Sequence, residues 1–278
     1  MNKKLAIISV SYENYSLLED FLASLTKQIN RNFHLFITDL SVVKKPILKK
    51  NFGLTVLTGE NLGYAHGVNL GLKEAIRQGY ELFCVINDDV FFKDDLVEKA
   101  LSALGKHPQS IIGGKIYYAP GHEYHKERYD KKDLGKVLWY AGGEIDWDHM
   151  MIKHRGVDEI DKNQYDISSE SEFITGCLML FDKNVLNKVG FWNESYFLYF
   201  EDADFCILAK RVGLKLYYDP SLVIWHKVSQ STGGSGSTIH QKYQSKNKVR
   251  LGLKYAPLRT KVHLLKNYFL DSLKSEKK

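Results

Sequence analysis

Two short acidic motifs are the parts of this chain best suited to chemistry. The first, Asn87-Asp88-Asp89, directly follows the apolar run 82–86, where a strand is predicted to end. Carboxylates in that position can hold a divalent cation such as Mg²⁺ or Mn²⁺, which in turn can bridge diphosphate oxygens. Asn and Asp are also common turn residues, so the spacing alone is equally compatible with a capped turn.

The second motif, Glu201-Asp202-Ala203-Asp204, follows an aromatic run and precedes a helix predicted over 203–212. A helix N-terminus stabilises acidic side chains through its dipole and its free N–H groups, which alone would account for one or two of them. Three carboxylates within four residues, beside so many aromatic rings, predict mutual repulsion and partial burial. Both effects raise the pKa of a carboxyl and would leave a competent general base.

A lone imidazole, His226, closes the apolar run 222–225. A His next to a Trp is usually a packed or hydrogen-bonded residue. It becomes a metal-ligand candidate if the fold brings it near Asp89.

A glycine-bearing loop, Asn61-Leu62-Gly63-Tyr64-Ala65-His66-Gly67, stands before another predicted helix. Glycines allow close backbone approach, and a helix start offers N–H groups to an anionic ligand. The spacing is not the dinucleotide-binding fingerprint, and the chain contains no P-loop. An NAD-dependent or ATP-hydrolysing enzyme is therefore not favoured.

These motifs are positioned by alternating strand and helix patterns in the first half of the chain. Continuous apolar runs predict strands buried on both faces, and their order predicts a parallel sheet with ligands at its carboxyl ends. The predicted strands are 5–10, 33–38, 54–57, 82–86, 173–181, 216–218 and 222–225. Between them, the segment 119–170 is rich in charge, His and Tyr and predicts a β-hairpin or lid insertion.

Composition excludes several classes of protein. The chain has 278 residues, 44% hydrophobic and 26% charged, and its three cysteines show no metal-ligand spacing, so a disulfide scaffold and a zinc ribbon are excluded. Neither a spanning apolar run nor a signal-peptide pattern is present, which leads us to expect a cytoplasmic protein. The net charge of +6 suits a nucleotide or an anionic membrane, whereas the absence of a basic stripe in the body of the chain argues against nucleic-acid binding.

Taken together, the ordered motifs resemble the family-2 glycosyltransferases, and within them the bacterial rhamnosyltransferase-like enzymes. The resemblance covers about Ile7 to Leu251. The motifs that carry it are Val10-Ser11-Tyr12-Glu13-Asn14, Asn61-Leu62-Gly63-Tyr64-Ala65, Asn87-Asp88-Asp89-Val90, Trp139-Tyr140-Ala141-Gly142-Gly143, His154-Arg155-Gly156, Thr175-Gly176-Cys177-Leu178-Met179-Leu180, Tyr196 to Asp204, and Ile224-Trp225-His226-Lys227.

The resemblance implies an α/β fold of the GT-A nucleotide-diphospho-sugar transferase type, with a Rossmann-like, mostly parallel central sheet, helices on both faces and a C-terminal helical tail. It implies that Asp202 is the general base, supported by Glu201 and Asp204. It also implies Mn²⁺ or Mg²⁺ bound by Asp89 and His226. Asp39 would accept a hydrogen bond from the pyrimidine N3–H. The residues expected to contact the nucleotide-sugar are Ser11, Tyr12, Glu13, Asp39, Asn61, Gly63, Tyr64, Asp88 and Lys246.

The chain departs from the family pattern at two places. Asn87 stands at the first position of the acidic metal motif, so metal binding would rest on Asp89 with help from Asp88. Lys246-Asn247 stands where relatives carry Arg-Asn, and a Lys keeps the charge but lacks the bidentate fork of Arg.

The C-terminal segment is predicted to be separate from the catalytic domain. We expect a GT-A domain over 1–252 and a basic amphipathic tail over 253–278. Such a helix either lies on an anionic membrane or packs on the domain or on a dimer partner. The apolar and basic positions of the tail are Val262, Leu264, Leu265, Tyr268, Phe269, Leu270, Leu273, Lys261, Lys266, Lys274, Lys277 and Lys278.

The resulting functional prediction is an inverting, metal-dependent transfer of a sugar, L-rhamnose from dTDP-rhamnose, to a growing bacterial surface glycan of the capsule or cell wall. The acceptor would be a glycan or a lipid-linked glycan, at the inner face of the plasma membrane. One alternative keeps the fold but uses UDP-galactose, UDP-galactofuranose or UDP-glucose. Another is a non-catalytic sugar-binding partner of a second transferase. A nucleotide-sugar pyrophosphorylase is disfavoured because Ser11-Tyr12-Glu13-Asn14 is not a Gly-rich basic loop.

Overall fold

One large sheet with helices packed against it forms the body of the protein. The computed structural model describes residues 4–48, 51–228 and 238–275. The strands are β1 (Leu5–Ser11), β2 (Phe33–Asp39), β3 (Gly53–Thr58), β4 (Leu82–Ile86), β5 (Val90–Phe92), β6 (Ser110–Tyr118), β7 (Leu138–Tyr140), β8 (Gly143–Asp146), β9 (Met151–His154), β10 (Ser169–Glu170), β11 (Leu178–Asp182) and β12 (Lys215–His226). The helices are α1 (Tyr15–Thr26), α2 (Tyr64–Arg77), α3 (Leu96–Lys106), α4 (Lys183–Val189), α5 (Glu201–Arg211), α6 (Thr238–Tyr255) and α7 (Leu258–Ser275).

The strand order across the sheet is β10-β12-β6-β11-β4-β1-β2-β3. Strands β3, β2, β1 and β4 are parallel, as the alternating pattern predicts. Every residue of β1 is buried, which requires packing on both faces of the sheet. The α/β fold class is thereby confirmed. The sheet as a whole is more mixed than expected, because β11 runs antiparallel to both of its neighbours, β4 and β6.

Several elements differ from the pattern-based prediction. Strands β5 and β6 were not predicted. The two short strands expected at 216–218 and 222–225 are one strand, β12, whose register against β6 shifts between Asp219 and Val223. In place of the strand expected over 173–181, the observed strand β11 begins later and spans Leu178–Asp182.

The pairing of β5 with β12 determines the geometry of the acidic edge. These strands are antiparallel, and His226 stands opposite Val90. Because Val90 directly follows Asp89, this register places the end of β12 next to the acidic motif that follows β4. The carboxyl ends of β1 and β2 lie at the same level, since Ser11 pairs with Asp39.

The segment 119–170 is attached to the sheet by a buried ion pair. It contains β7, the β8–β9 hairpin and β10. The ammonium of Lys115, on β6, lies 2.8 Å from the carboxylate of Asp161 and also contacts Asp166. Both Lys115 and Asp161 are shielded from solvent, and the segment is also joined to the sheet by pairing of β7 with β6 and of β10 with β12.

The C-terminal region consists of two helices, α6 and α7. The predicted domain boundary at residue 252 lies inside α6, which continues to Tyr255. Among the described residues, no helix is long and apolar enough to cross a membrane. The tail side chains after Tyr268, and residues 276–278, lie outside the described part of the chain.

Candidate active site

A cavity of about 860 Å³ lies at the carboxyl edge of the sheet. It is lined by the loop after β4, the start of α5, the end of β12 and the first turns of α6. The predicted site residues that line it are Tyr12, Asn61, Gly63, Tyr64, Asp88, Asp89, Glu201, Asp202 and His226. The structure thus brings together both acidic motifs and the imidazole, although they are far apart in sequence.

Asp89 and His226 form a buried pair in this cavity. Nε2 of His226 lies 3.1 Å from Oδ1 of Asp89, and both side chains are almost fully shielded from solvent. Burial of His226 opposes a charged ring, but the Cys177 sulfur and the Asp89 carboxylate hold its pKa well above the ordinary value. The second ring nitrogen, Nδ1, has no hydrogen-bond partner.

Asp88, the neighbour of Asp89, is also buried. Its Oδ1 accepts a hydrogen bond of 3.3 Å from the side-chain amide of Asn14, whereas its Oδ2 has no hydrogen-bond partner. Burial raises the pKa of Asp88 to about 7, and the adjacent charge of Asp89 adds to the effect. Two neighbouring carboxyls, one with an unsatisfied oxygen, are a costly arrangement for a protein to bury without a partner.

The donor set fits a divalent cation. Asp89 and His226 offer a carboxylate oxygen and an imidazole nitrogen, a combination that suits Mn²⁺ and, through the oxygen, Mg²⁺. In the described part of the chain, no cluster of three or more His, Cys, Asp or Glu side chains forms a closed cage. Asp89 and His226 would supply two ligands to such a cation, and phosphate oxygens of a bound nucleotide are further ligands of the kind that Mg²⁺ prefers.

Asp202 is held at the start of α5 by two backbone donors. Its Oδ2 accepts from the N–H of Gly176 at 2.9 Å, and its Oδ1 accepts from the N–H of Ala203 at 2.8 Å. Burial raises the pKa of Asp202 to about 6. The side chain is therefore fixed in orientation, ionised at neutral pH, and basic enough to take up a proton.

Glu201, one residue earlier, is more deeply buried. Its Oε2 has no hydrogen-bond partner. Burial, followed by the nearby charge of Asp202, raises the pKa of Glu201 well above its usual range. Burial therefore disfavours the ionised form of Glu201.

Asp204 has a different environment from the one predicted. It is not among the described residues that line the cavity. Its carboxylate accepts from Nζ of Lys254 at 2.8 Å and from the hydroxyl of Tyr196 at 3.3 Å. Along a helix, residues two apart point in nearly opposite directions, so Asp204 faces α6 while Asp202 faces the cavity. This geometry gives Asp204 a structural contact and does not support a catalytic one.

A strained bend delivers the acidic motif to the cavity. Tyr199 and Phe200, directly before α5, both have a positive φ, of 67° and 73°. Asn247, on α6, is 1% exposed and donates from Nδ2 to the carbonyls of Leu198 and Tyr199, at 2.8 and 3.1 Å. Left-handed conformations of bulky residues persist only where their surroundings impose them. The sequence pattern gives Asn247 no role, because a polar residue in a basic segment resembles a surface residue.

Gly63 meets the same bend from the other side. It has φ +111°, and a Cβ on it would lie 2.4 Å from the carbonyl oxygen of Phe197. The N–H of Tyr64 donates to that oxygen at 2.9 Å, while the hydroxyl of Tyr64 donates to Oδ1 of Asn87 at 3.0 Å. The glycine loop therefore connects the aromatic segment to the acidic loop after β4.

Only some of the residues expected around the nucleoside line the cavity; others form hydrogen bonds within the loops beside it. Tyr12 and Asn61 line the cavity. Ser11, Glu13 and Asp39 are not among the described lining residues. Asp39 accepts from the hydroxyl of Tyr15 at 2.6 Å and from the N–H of Ser41 at 2.9 Å. The Glu13 side chain accepts from the N–H of Val42 at 2.8 Å. These bonds shape the loops beside the cavity.

The basic residues of α6 are positioned differently from the prediction. Lys246 is exposed and is absent from the described cavity lining, whereas Lys242 and Lys248 line it. Helical periodicity could have identified them only if the face of α6 that meets the domain were known. From the insertion, Trp139 reaches the cavity with its ring edge-on to His226, at 4.6 Å between centroids.

Comparison with known proteins identifies the family of the chain. Residues 6–190 match the family described as Glycosyl transferase family 2. The chain is 23% identical over 250 residues to the N-acetylglucosaminyl-diphospho-decaprenol L-rhamnosyltransferase of Mycobacterium tuberculosis. That alignment covers 84% of this chain and 79% of the relative.

Two solved structures show the same fold. The structure of GalNAc-T7 with UDP, GalNAc and Mn²⁺ superposes with a TM-score of 0.65 at 15% identity. The superposition covers 89% of this chain but only 48%, about half, of the GalNAc-T7 chain. The mannosyltransferase PcManGT from Pyrobaculum calidifontis, in complex with GDP-Man and Mn²⁺, superposes with a TM-score of 0.52 at 15% identity, over 97% and 70% of the two chains. The match over residues 6–190 is well over half of the chain, so the chain belongs to glycosyl transferase family 2 and is a glycosyltransferase of the GT-A fold.

Proposed function

We propose that this protein is an inverting, metal-dependent transferase that moves L-rhamnose from dTDP-L-rhamnose to a growing bacterial surface glycan. The observation that carries the proposal is the placement of Asp202 in the same cavity as the buried Asp89–His226 pair. A fixed general base and a cation site facing one space are what direct displacement at an anomeric carbon requires.

In the proposed step, an acceptor hydroxyl oxygen attacks the anomeric carbon of the donor sugar. The new C–O bond forms as the bond from that carbon to the nucleoside diphosphate breaks, which inverts the configuration. The hydroxyl proton passes to the carboxylate of Asp202, and the bonding electron pair leaves with the diphosphate. Gly176 and Ala203 hold Asp202 in place during the transfer through their N–H groups.

The departing diphosphate gains negative charge, which has to be stabilised. A Mn²⁺ or Mg²⁺ ion on Asp89 and His226 would supply a Lewis acid to the diphosphate oxygens. Lys242 and Lys248, which line the cavity, add positive charge to the same space. Fixed charges of this kind act most strongly where water is excluded.

The choice of donor rests on similarity. The rhamnosyltransferase of M. tuberculosis aligns with most of this chain, and its name describes an acceptor on a diphospho-lipid. We extend that acceptor class to this protein, which would then act at the inner face of the plasma membrane, where activated donor and lipid-linked glycan meet.

A donor panel tests the proposal. Purified protein is incubated with dTDP-rhamnose, UDP-galactose, UDP-glucose, UDP-N-acetylglucosamine or GDP-mannose, with Mn²⁺ and then with a chelator. Released nucleoside diphosphate and thermal stabilisation are recorded. We expect dTDP-rhamnose to give release and stabilisation that both disappear on chelation.

Other outcomes of the panel select the alternatives. The neighbouring GalNAc-T7 structure contains UDP, and activity with a UDP-sugar alone would replace the rhamnosyl donor by a UDP-hexose. Nucleotide binding without turnover on any acceptor would favour a sugar-binding partner of another transferase. Absence of a thermal shift even with dTDP or UDP would refute the nucleotide pocket itself.

A further inference from the structure

Helix α7 carries an apolar stripe on its solvent side. Leu258 and Val262 are 78% and 59% exposed, and Leu265 and Tyr268 are also exposed. Residues spaced by three or four lie along one face of a helix. The spacing of these side chains therefore places them in one continuous row, away from the domain.

The opposite face of α7 is fixed to the protein. Leu264 is buried, and one of its methyl carbons occupies the space that a Cβ on Gly252 would need. The hydroxyl of Thr260, also buried, donates to the carbonyl of Asp148 at 3.4 Å. The direction in which the stripe points is thus determined by packing.

Basic side chains lie beside and within the stripe. On a helical projection, Arg259 and Lys266 flank it on one side, and Lys261 lies between Leu265 and Tyr268. Residues 238–270 contain eight Lys and Arg and no Asp or Glu. Lys and Arg can extend their charged ends to lipid phosphates while their methylene stems lie along an apolar surface.

We propose that this stripe docks the protein on an anionic lipid surface. A row of apolar side chains that enters the acyl boundary, bordered by cations at headgroup level, is the pattern of an interfacial helix. A second copy of the chain fits this surface less well. A two-fold contact through the stripe would bring basic side chains of the two copies together. Before Tyr268, α7 contains no acidic residue that could pair with them.

Docking would place the cavity close to the lipid. Asp148, which Thr260 of α7 contacts, and Met150, which packs against Gly252 of α6, belong to the turn between β8 and β9. Met150 and Met151 line the cavity. A lipid-linked acceptor would then reach Asp202 from the membrane side. This link to the acceptor rests on the proposed function, whereas docking itself does not.

Vesicle flotation without any substrate tests the docking. The full chain is mixed with vesicles of phosphatidylglycerol and phosphatidylcholine, or of phosphatidylcholine alone, at low and high salt. We expect binding to the anionic vesicles that weakens with salt. The paired variant Arg259→Glu with Lys266→Glu should bind at least about tenfold more weakly, and so should Leu258→Glu with Val262→Glu.

Ile167→Glu is the matched control, because Ile167 is 82% exposed but lies in the insertion, and it should bind like the parent chain. Circular dichroism and thermal unfolding establish that all variants are folded. Equal binding of all variants, or no binding to anionic vesicles, would overturn the proposal. A dimer in sedimentation that Leu258→Glu with Val262→Glu dissociates would assign the stripe to a second copy instead. Since no donor or acceptor is present, the result is independent of the donor panel.

Discussion

The ionisation of Asp202 should control the acid side of the pH–rate profile. Burial raises the pKa of this carboxyl to about 6, and only the ionised form can accept the proton of an acceptor hydroxyl. One pH unit below that value, about one tenth of Asp202 is ionised, and one unit above it about nine tenths is. We therefore expect kcat/KM to fall by about tenfold as the pH is lowered from one unit above this pKa to one unit below it.

Two substitutions separate Asp202 from its neighbour. Asp202→Asn keeps the size of the side chain but removes the base, and activity should fall by about 10²–10⁴-fold. Glu201→Gln keeps the size of a side chain whose pKa burial raises well above its usual range, and it removes the possibility of a charge there. That variant should retain most activity and show an acid limb at nearly the same pH.

The assay follows nucleoside diphosphate release across pH, at fixed ionic strength and with the donor identified by the panel. Binding of nucleotide to each variant, measured by thermal shift, controls for loss of the pocket. If Asp202→Asn turned over at the parental rate, or if the acid limb persisted unchanged in it, the assignment of Asp202 as the base would be refuted. A large loss in Glu201→Gln with Asp202→Asn unaffected would move the base to Glu201.

Three further substitutions test the positions around the base. Asn247→Ala removes both hydrogen bonds from Nδ2 to the bend and should lower the free energy of unfolding by about 1–3 kcal/mol. We also expect kcat to fall more than nucleotide affinity. Asn267→Ala, at an exposed position, is the control, and equal kinetic constants in the two variants would contradict the role of Asn247. His226→Ala should weaken Mn²⁺ binding in the presence of nucleoside diphosphate by at least about tenfold, measured by titration, while exposed His149→Ala should leave it unchanged. Gly63→Ala places a methyl group against the Phe197 carbonyl at a positive φ and should cost about 1–3 kcal/mol in thermal unfolding; an unchanged melting temperature would show that the loop can rearrange.

Strand periodicity predicted where the acidic loop lies but not that His226 contacts it. The run from Leu82 to Ile86 was identified to the residue, and Asp89 was placed at its carboxyl end accordingly. The approach of His226 depends on β5, a three-residue strand too short to produce a periodic signal. The 3.1 Å distance from Nε2 of His226 to Oδ1 of Asp89 therefore depends on tertiary strand pairing, which the pattern of a single sequence does not report.

The role of Asp204 could not be predicted for a related reason. The helix was expected to begin at Ala203, whereas α5 begins at Glu201. With all three acids inside the first turn, their directions differ by helical rotation, and only the true start determines which one faces the cavity. The contact of Asp204 with Lys254 joins residues 50 apart, a separation that no local pattern reports.

The buried lysine of β6 limits how this fold can be recombined. Lys115 is held between Asp161 and Asp166, so a chimera that replaced 119–170 with a shorter loop would leave an ammonium group stranded in the sheet. Removing one partner of a buried ion pair costs about 3–5 kcal/mol, a large share of the stability of an ordinary domain. Lys115, Asp161 and Asp166 therefore have to be exchanged together when the segment 119–170 is replaced. Anyone who grafts a new acceptor-side insertion onto this scaffold would have to transfer or neutralise all three together.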